Sequence, residues 1–177
     1  YELVGFKLGD KAMREPEYLR LNPMGRVPTL QDGDVTIFES GAIVEYVLAR
    51  HGGGRMVPDS ASPEFADYLQ WLHYAEGMIM PQVNIIIVET LFLPEEKRNP
   101  VNLARAQKLL NKSLQAVETG LEGRDYVAGG FSGADIMTGH ACVVAERLGA
   151  DLAELPNVKA YVERLKNRPA LQMAMAA

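Results

Sequence analysis

The segment Asn22-Pro-Met-Gly-Arg-Val-Pro-Thr-Leu30 restricts the fold of this chain more than any other, because Pro28 stands where a strand begins and cannot donate to a ladder. Such a proline belongs at a sheet edge, a strand start or a bulge. Asp32-Gly33 follows closely, and Asp-Gly is favoured in two-residue hairpin turns, whose central residues need positive φ. The spacing predicts a hairpin from two short runs, 26–31 and 34–38. Before it, residues 1–6 (YELVGF) have the composition of a strand, and Glu15-Pro16 opens a short helix carrying Tyr18, Leu19 and Leu21 that ends at Asn22-Pro23.

From Ser40 the period changes. Ile43, Val44, Val47 and Leu48 recur at helical spacing, with Gly52 as a stop. Residues 52–62 (GGGRMVPDSAS) have linker composition, and every periodic segment beyond them is helical. Ser62 reads as the N-cap and Pro63 as the first position of a long helix, which Pro81 is expected to kink. Asn99-Pro100 starts another, with Leu103, Ala106, Leu110, Leu114, Val117 and Leu121 on one buried face and Gly123 as its end. A third follows Ser132, and a fourth runs from about Pro156 to Arg168-Pro169. Strands before a linker and helices after it predict an α+β fold: a first domain over 1–52, a linker over 53–61 and an all-helical domain over 62–177. The first domain is too small to own a core and must lean on the second.

A net charge of -5 without a basic run argues against nucleic acid as a partner. The longest apolar candidate, Ile85 to Val88, falls far short of a membrane span, so no membrane association is expected. The chain begins at Tyr1 with no charged leader and apolar core, so no secretory signal is expected either. Cys142, the single cysteine, lies among Ala141, Val143 and Val144 and reads as buried and inert. His51, His73 and His140 fall on separate helices without ligand spacing, and no metal site is expected.

Two segments bear chemistry. A cis Val27–Pro28 bond would turn the Val27 N–H and C=O outward to pair with an extended, peptide-like ligand; a trans proline in an ordinary turn is the competing reading. Glu39-Ser40-Gly41-Ala42-Ile43 lies where a strand meets a helix N-terminus. Free N–H groups, the dipole and the Ser40 hydroxyl suit a carboxylate there, and Glu39 suits an ammonium; Ser40 as a plain N-cap fits the spacing equally. In Gly130-Phe-Ser-Gly-Ala-Asp-Ile136, Ser132 and Asp135 have capping-box spacing, with Phe131 and Ile136 as the hydrophobic staple. Tyr68, Trp71, Tyr74 and Met78 align at helical spacing, as core or as the wall of an apolar pocket.

The order of strand, short helix, NPMGRVPTL, Asp-Gly hairpin, ESGAIVEYV helix, linker and helical bundle resembles the cytosolic glutathione S-transferase family, as a bacterial-type member, over essentially all 177 residues. The resemblance implies an incomplete thioredoxin-like domain packed on an all-α bundle. It assigns Val27 and Pro28 to the cysteinyl part of glutathione and Glu39 and Ser40 to its γ-glutamyl end. Arg26 falls where some members approach the glycine carboxylate, and Tyr74 and Met78 lie on the helix that flanks the site. The family's first strand and helix, with the residue that stabilises the thiolate, are expected upstream of Tyr1, so the catalytic residue is unassigned. The implied activity is conjugation of glutathione, as substrate, to a small apolar electrophile by a cytoplasmic homodimer. Isomerase, dehalogenase and peroxidase activities are variants. A module of this fold that binds glutathione or a protein without transferase activity is the alternative from another class.

Overall fold

The computed structural model describes residues 1–7 and 9–176. A 3-10 turn, Lys11–Arg14, leads into helix α1, Pro16–Leu21. Strands β1, Thr29–Asp32, and β2, Val35–Phe38, pair antiparallel with Thr29 opposite Phe38 and Asp32 opposite Val35. The turn residues are thus Gly33 and Asp34, one position beyond the expected pair, and Gly33 takes the positive φ of 58°. Asp32 stays in the strand because its carboxylate is held from helix α2, Ser40–His51, by Tyr46 at 3.1 Å and His51 at 2.7 Å.

Residues 1–6 form no strand. Composition supplies propensity, but a strand exists only through a neighbour's N–H and C=O groups, and among the described residues the sheet is β1 and β2 alone. Phe6 instead meets Tyr18 edge to face, with ring centroids 4.9 Å apart.

The helical half opens with α3, Glu64–Tyr74, a π turn over Ala75–Ile79, α4, Met80–Ile87, and a second π turn over Val88–Phe92. Together they make one run of 29 residues. Pro81 has no N–H for the carbonyl four residues back, and its ring presses on that carbonyl; the wider π turn relieves both, with the Met80 N–H reaching the Ala75 carbonyl. By length and a mean hydropathy of 1.2 this run is long and apolar enough to cross a membrane, which the short apolar stretch at residues 85–88 did not foretell. Its stripe of Trp71, Leu72, Ala75, Ile79, Val83 and Ile86 is buried in the core. Ser62 does not cap α3; the helix begins at Glu64 behind Pro63, without a side-chain cap.

Helix α5, Pro100–Gly120, starts where Asn99 Oδ1 accepts from the Val101 and Asn102 N–H groups at 3.0 and 3.1 Å. It ends before Gly123, which instead takes a positive φ in the turn beyond. A π turn over Asp135–Gly139 precedes α6, His140–Arg147; α7, Pro156–Lys166, and α8, Pro169–Ala176, complete the chain. Oδ2 of Asp135 accepts from the Ser132 N–H and hydroxyl at 2.8 and 3.0 Å, and Oδ1 from the Val127 N–H at 3.1 Å. The Ser132 hydroxyl therefore donates to the carboxylate, so half of the capping box forms. Ile136 is exposed and closes no staple, while Phe131 lies edge-on to Tyr126 under Arg168.

The core belongs to the helical half. Among the described residues Leu48 is the one buried hydrophobic side chain supplied by residues 1–52. The small first half leans on the bundle at Gly133, where an added Cβ would come within 2.7 Å of Leu48 Cδ1 and 3.1 Å of the Tyr68 hydroxyl. The segment 52–62 is tied down there too, since the Gly133 N–H donates to the Met56 carbonyl at 2.9 Å.

Candidate functional site

Glu39 joins β2 to α2 with φ at 78° and ψ at 114°, a conformation that a non-glycine residue adopts only under constraint. Its carbonyl accepts from the Ile43 N–H at 2.9 Å, and no side chain caps the helix. Ser40 is accordingly the first helical residue rather than the N-cap. The N–H groups of Ser40, Gly41 and Ala42 have no partner inside the helix and carry its positive dipole end.

Beside this helix end lies a cleft of about 400 Å³ between the two halves. Glu39, Gly41, Ala42 and Glu45 line one side, and Leu72, His73, Glu76 and Met137 the other. Ser40 does not line it, but its hydroxyl donates to Glu76 Oε1 at 3.3 Å. His73 Nε2 lies 3.9 Å from Glu45 Oε1. The cleft thus sets a helix N-terminus beside three carboxylates, an arrangement that can hold opposite charges on one small molecule.

The NPMGRVPTL loop is built from its side chains. The Tyr18 hydroxyl donates to the Arg26 carbonyl at 2.6 Å, and Asn22 Nδ2 donates to the same oxygen at 2.8 Å. Asn22 Oδ1 accepts from the Met24 N–H at 3.1 Å, and Gly25 has φ at 58° with no room for a Cβ beside the Met13 carbonyl. The Val27–Pro28 peptide bond is cis. Val27 is 56% exposed, and Arg26 and Pro28 are exposed beside it. Neither the N–H nor the C=O of Val27 is bonded among the described residues.

Tyr74 and Met78 do not line the cleft. The Tyr74 hydroxyl donates to the Ser113 carbonyl at 3.2 Å, its ring lies edge-on to Trp71, and burial raises its phenol. Met78 is half exposed on the helix surface. Cys142 is fully buried, and burial pushes its thiol up to about 12, so it offers no nucleophile. Among the described residues no three His, Cys, Asp or Glu side chains converge as a metal site.

The sequence reading passed over Glu45, Leu72, Glu76 and Met137, and weighed His73 only as a metal ligand. It followed the aromatic stripe of α3, whereas Leu72, His73 and Glu76 share a neighbouring face three and four residues apart. That spacing, with a histidine and a glutamate on it, was the available signal.

The family profile described as Glutathione S-transferase, N-terminal domain matches residues 1–49, and that described as Glutathione S-transferase, C-terminal domain matches residues 79–169. Glutathione S-transferase 4 of Zea mays is 37% identical over 180 residues, covering 96% of this chain and 78% of the relative. The crystal structure of glutathione transferase URE2P6 from Phanerochaete chrysosporium, in complex with oxidized glutathione, superposes with a TM-score of 0.88 at 25% identity, over 99% of this chain and 83% of that one. The theta class glutathione S-transferase of Xanthomonas axonopodis pv. citri, with glutathione bound, gives a TM-score of 0.81 at 30% identity, over 91% and 77%.

Proposed function

We infer that this chain, which belongs to the glutathione S-transferase family, binds glutathione in the cleft between its halves and joins the glutathione sulfur to a small apolar electrophile. The observation that carries this reading is the open N-terminus of α2, where Glu39, Gly41 and Ala42 border one cavity and no side chain caps the helix. The γ-glutamyl carboxylate is assigned to the N–H groups of residues 40–42 and the ammonium to Glu39. Val27 offers one N–H and one C=O, which match the backbone of the cysteinyl residue, and Arg26 beside it answers the glycine carboxylate. Leu72 and Met137 in the cleft supply apolar surface for the electrophile.

A free thiol titrates near about 8.5, so lowering it by one unit raises the thiolate fraction several-fold at neutral pH. The thiolate electron pair forms the sulfur–carbon bond, and the leaving group departs with the electrons of the bond that breaks. The domains are assigned to 1–52 and 62–177, and the working form to a cytoplasmic homodimer.

Calorimetry with glutathione tests the assignment. Ser40→Ala is expected to weaken binding by about 1 to 3 kcal/mol, the range for a hydrogen bond to a charged group. Unchanged affinity contradicts it. Residues 1–177 alone are expected to bind glutathione with little conjugation of an aromatic electrophile, and a chain extended by the strand, loop and helix expected upstream of Tyr1 to conjugate it; binding without conjugation in the extended chain selects the non-enzymatic module instead.

A further inference from the structure

We propose that a second cavity, between α6, α7 and α8, binds a short-chain aliphatic carboxylate, with Arg147 as the residue that holds its charge. The cavity has a volume of about 260 Å³ and shares no lining residue with the cleft. Its walls are largely apolar. Val143 of α6 is buried at 1% exposure, Leu171 packs on the core from α8, and Met175 lines the cavity from the last turn of α8. No aromatic ring stands among the lining residues, so branched and thioether carbons meet an aliphatic chain rather than a stacked ring. The volume lies below the roughly 300 Å³ at which sites for drug-sized ligands begin, which keeps the chain short.

Two cations, Arg147 and Lys166, also line the cavity, and they are not equivalent. The Lys166 ammonium is answered twice, by Glu146 and, at 3.1 Å, by Glu163. Neither carboxylate lines the cavity. Arg147 forms no ion pair among the described residues, and its guanidinium donates to the Met175 sulfur at 3.8 Å. A thioether is a weak acceptor, whereas a guanidinium carries five N–H donors in a fork that fits a carboxylate with two parallel bonds. One unanswered positive charge beside apolar walls suits a single negative charge carried on an apolar tail. Gln172 Nε2 donates to the Lys166 carbonyl at 3.0 Å, which ties α8 to the end of α7 and holds that wall in place.

The test is calorimetry on the full chain with octanoate, and with octan-1-ol as the uncharged chain of the same length. Octanoate is expected to bind once per chain at millimolar concentration or below, and octan-1-ol about tenfold or more weakly. Arg147→Met keeps an apolar stem without the charge; it is expected to reduce octanoate to the level of octan-1-ol and to leave glutathione affinity unchanged. Amide NMR is expected to show octanoate shifting Val143, Leu171, Gln172 and Met175, and excess glutathione leaving those shifts in place. No saturable octanoate binding up to about 10 mM, equal affinity for octanoate and octan-1-ol, or wild-type octanoate affinity in Arg147→Met would each overturn the proposal. So would an Arg147→Met protein that loses glutathione as well. Octanoate shifts concentrated at Gly41, Ala42 and Glu45, or octanoate displaced by glutathione, would place the carboxylate in the cleft and overturn it too.

Discussion

The Tyr161 hydroxyl donates to Oδ1 of Asp135 across 2.8 Å, fastening α7 to the turn that opens the helix after Ser132. Asp135 is 1% exposed and accepts from four donors in all. Asp135→Ala strands those donors in the core and is expected to cost about 3 kcal/mol or more in urea denaturation, against about 1 to 3 kcal/mol for Tyr161→Phe. Losses under 1 kcal/mol for both would contradict this account of the core.

The same carboxylate gives a pH dependence. Burial pushes it above the ordinary 3.8, against the pull of the hydrogen bonds from Tyr161, Val127 and Ser132. The folded protein holds this proton more tightly than the unfolded chain does, so the group's contribution to stability falls as pH climbs from 3.8 through the folded-state value. The stability of wild type relative to Asp135→Asn, measured by denaturation at about pH 4 and about pH 7, is expected to shrink with rising pH. A difference that grows would refute the direction.

Asp32 runs the other way. Hydrogen bonds from His51 and then Tyr46 hold its carboxyl below 3.8, so its contribution is present above that value and lost as pH falls through the lowered one. Carboxyl-carbon NMR titration is expected to show the depressed midpoint, and His51→Ala to return it toward 3.8. A midpoint indifferent to His51 would leave the hairpin-to-α2 contact without this role.

Gly133→Ala tests how far the cleft depends on the contact between the halves. The new Cβ would lie 2.7 Å from Leu48 Cδ1 and 3.3 Å from Val44 Cγ1, forcing α2 away from the bundle. The expected cost is about 1 to 3 kcal/mol in stability, together with weaker glutathione binding. Gly120→Ala is the control, since its Cβ would press on the Trp71 ring inside the bundle, far from α2 in the chain. It should lose stability and keep its affinity.

Light scattering is expected to report twice the chain mass of 19.5 kDa at micromolar concentration, with apolar Leu69 and Met78 on the helical run and Val47 on α2 exposed for a partner to cover. A mass of one chain contradicts the dimer.

What could be read from the sequence was what a few neighbouring residues decide together. Asn99-Pro100 carries its own cap and first turn, so the start of α5 was visible without the rest of the molecule. The break at Arg168-Pro169 was visible for the same reason, and α8 resumes directly after it. Residues 1–6 looked like a strand because composition records propensity, while a ladder needs a neighbour. The turn at Gly33-Asp34 slipped by one position because Asp32 is held by Tyr46 and His51, 14 and 19 residues away. Pro81 announced a disturbance, but the choice of a π turn was made by a helix that stays packed on both sides of it. Of the candidate site, the α2 N-terminus was legible from Glu39-Ser40-Gly41. Glu76 was not, since its meeting with Ser40 is made by the docking of one half on the other.

The most direct test of the central claim is an amide NMR titration of the intact chain with reduced glutathione. The account predicts saturable shifts concentrated at Val27, at Glu39, Ser40, Gly41 and Ala42, and at Glu76, all following one binding curve. No saturable shift at those amides at millimolar glutathione, or shifts confined to the far side of the helical bundle, would contradict it.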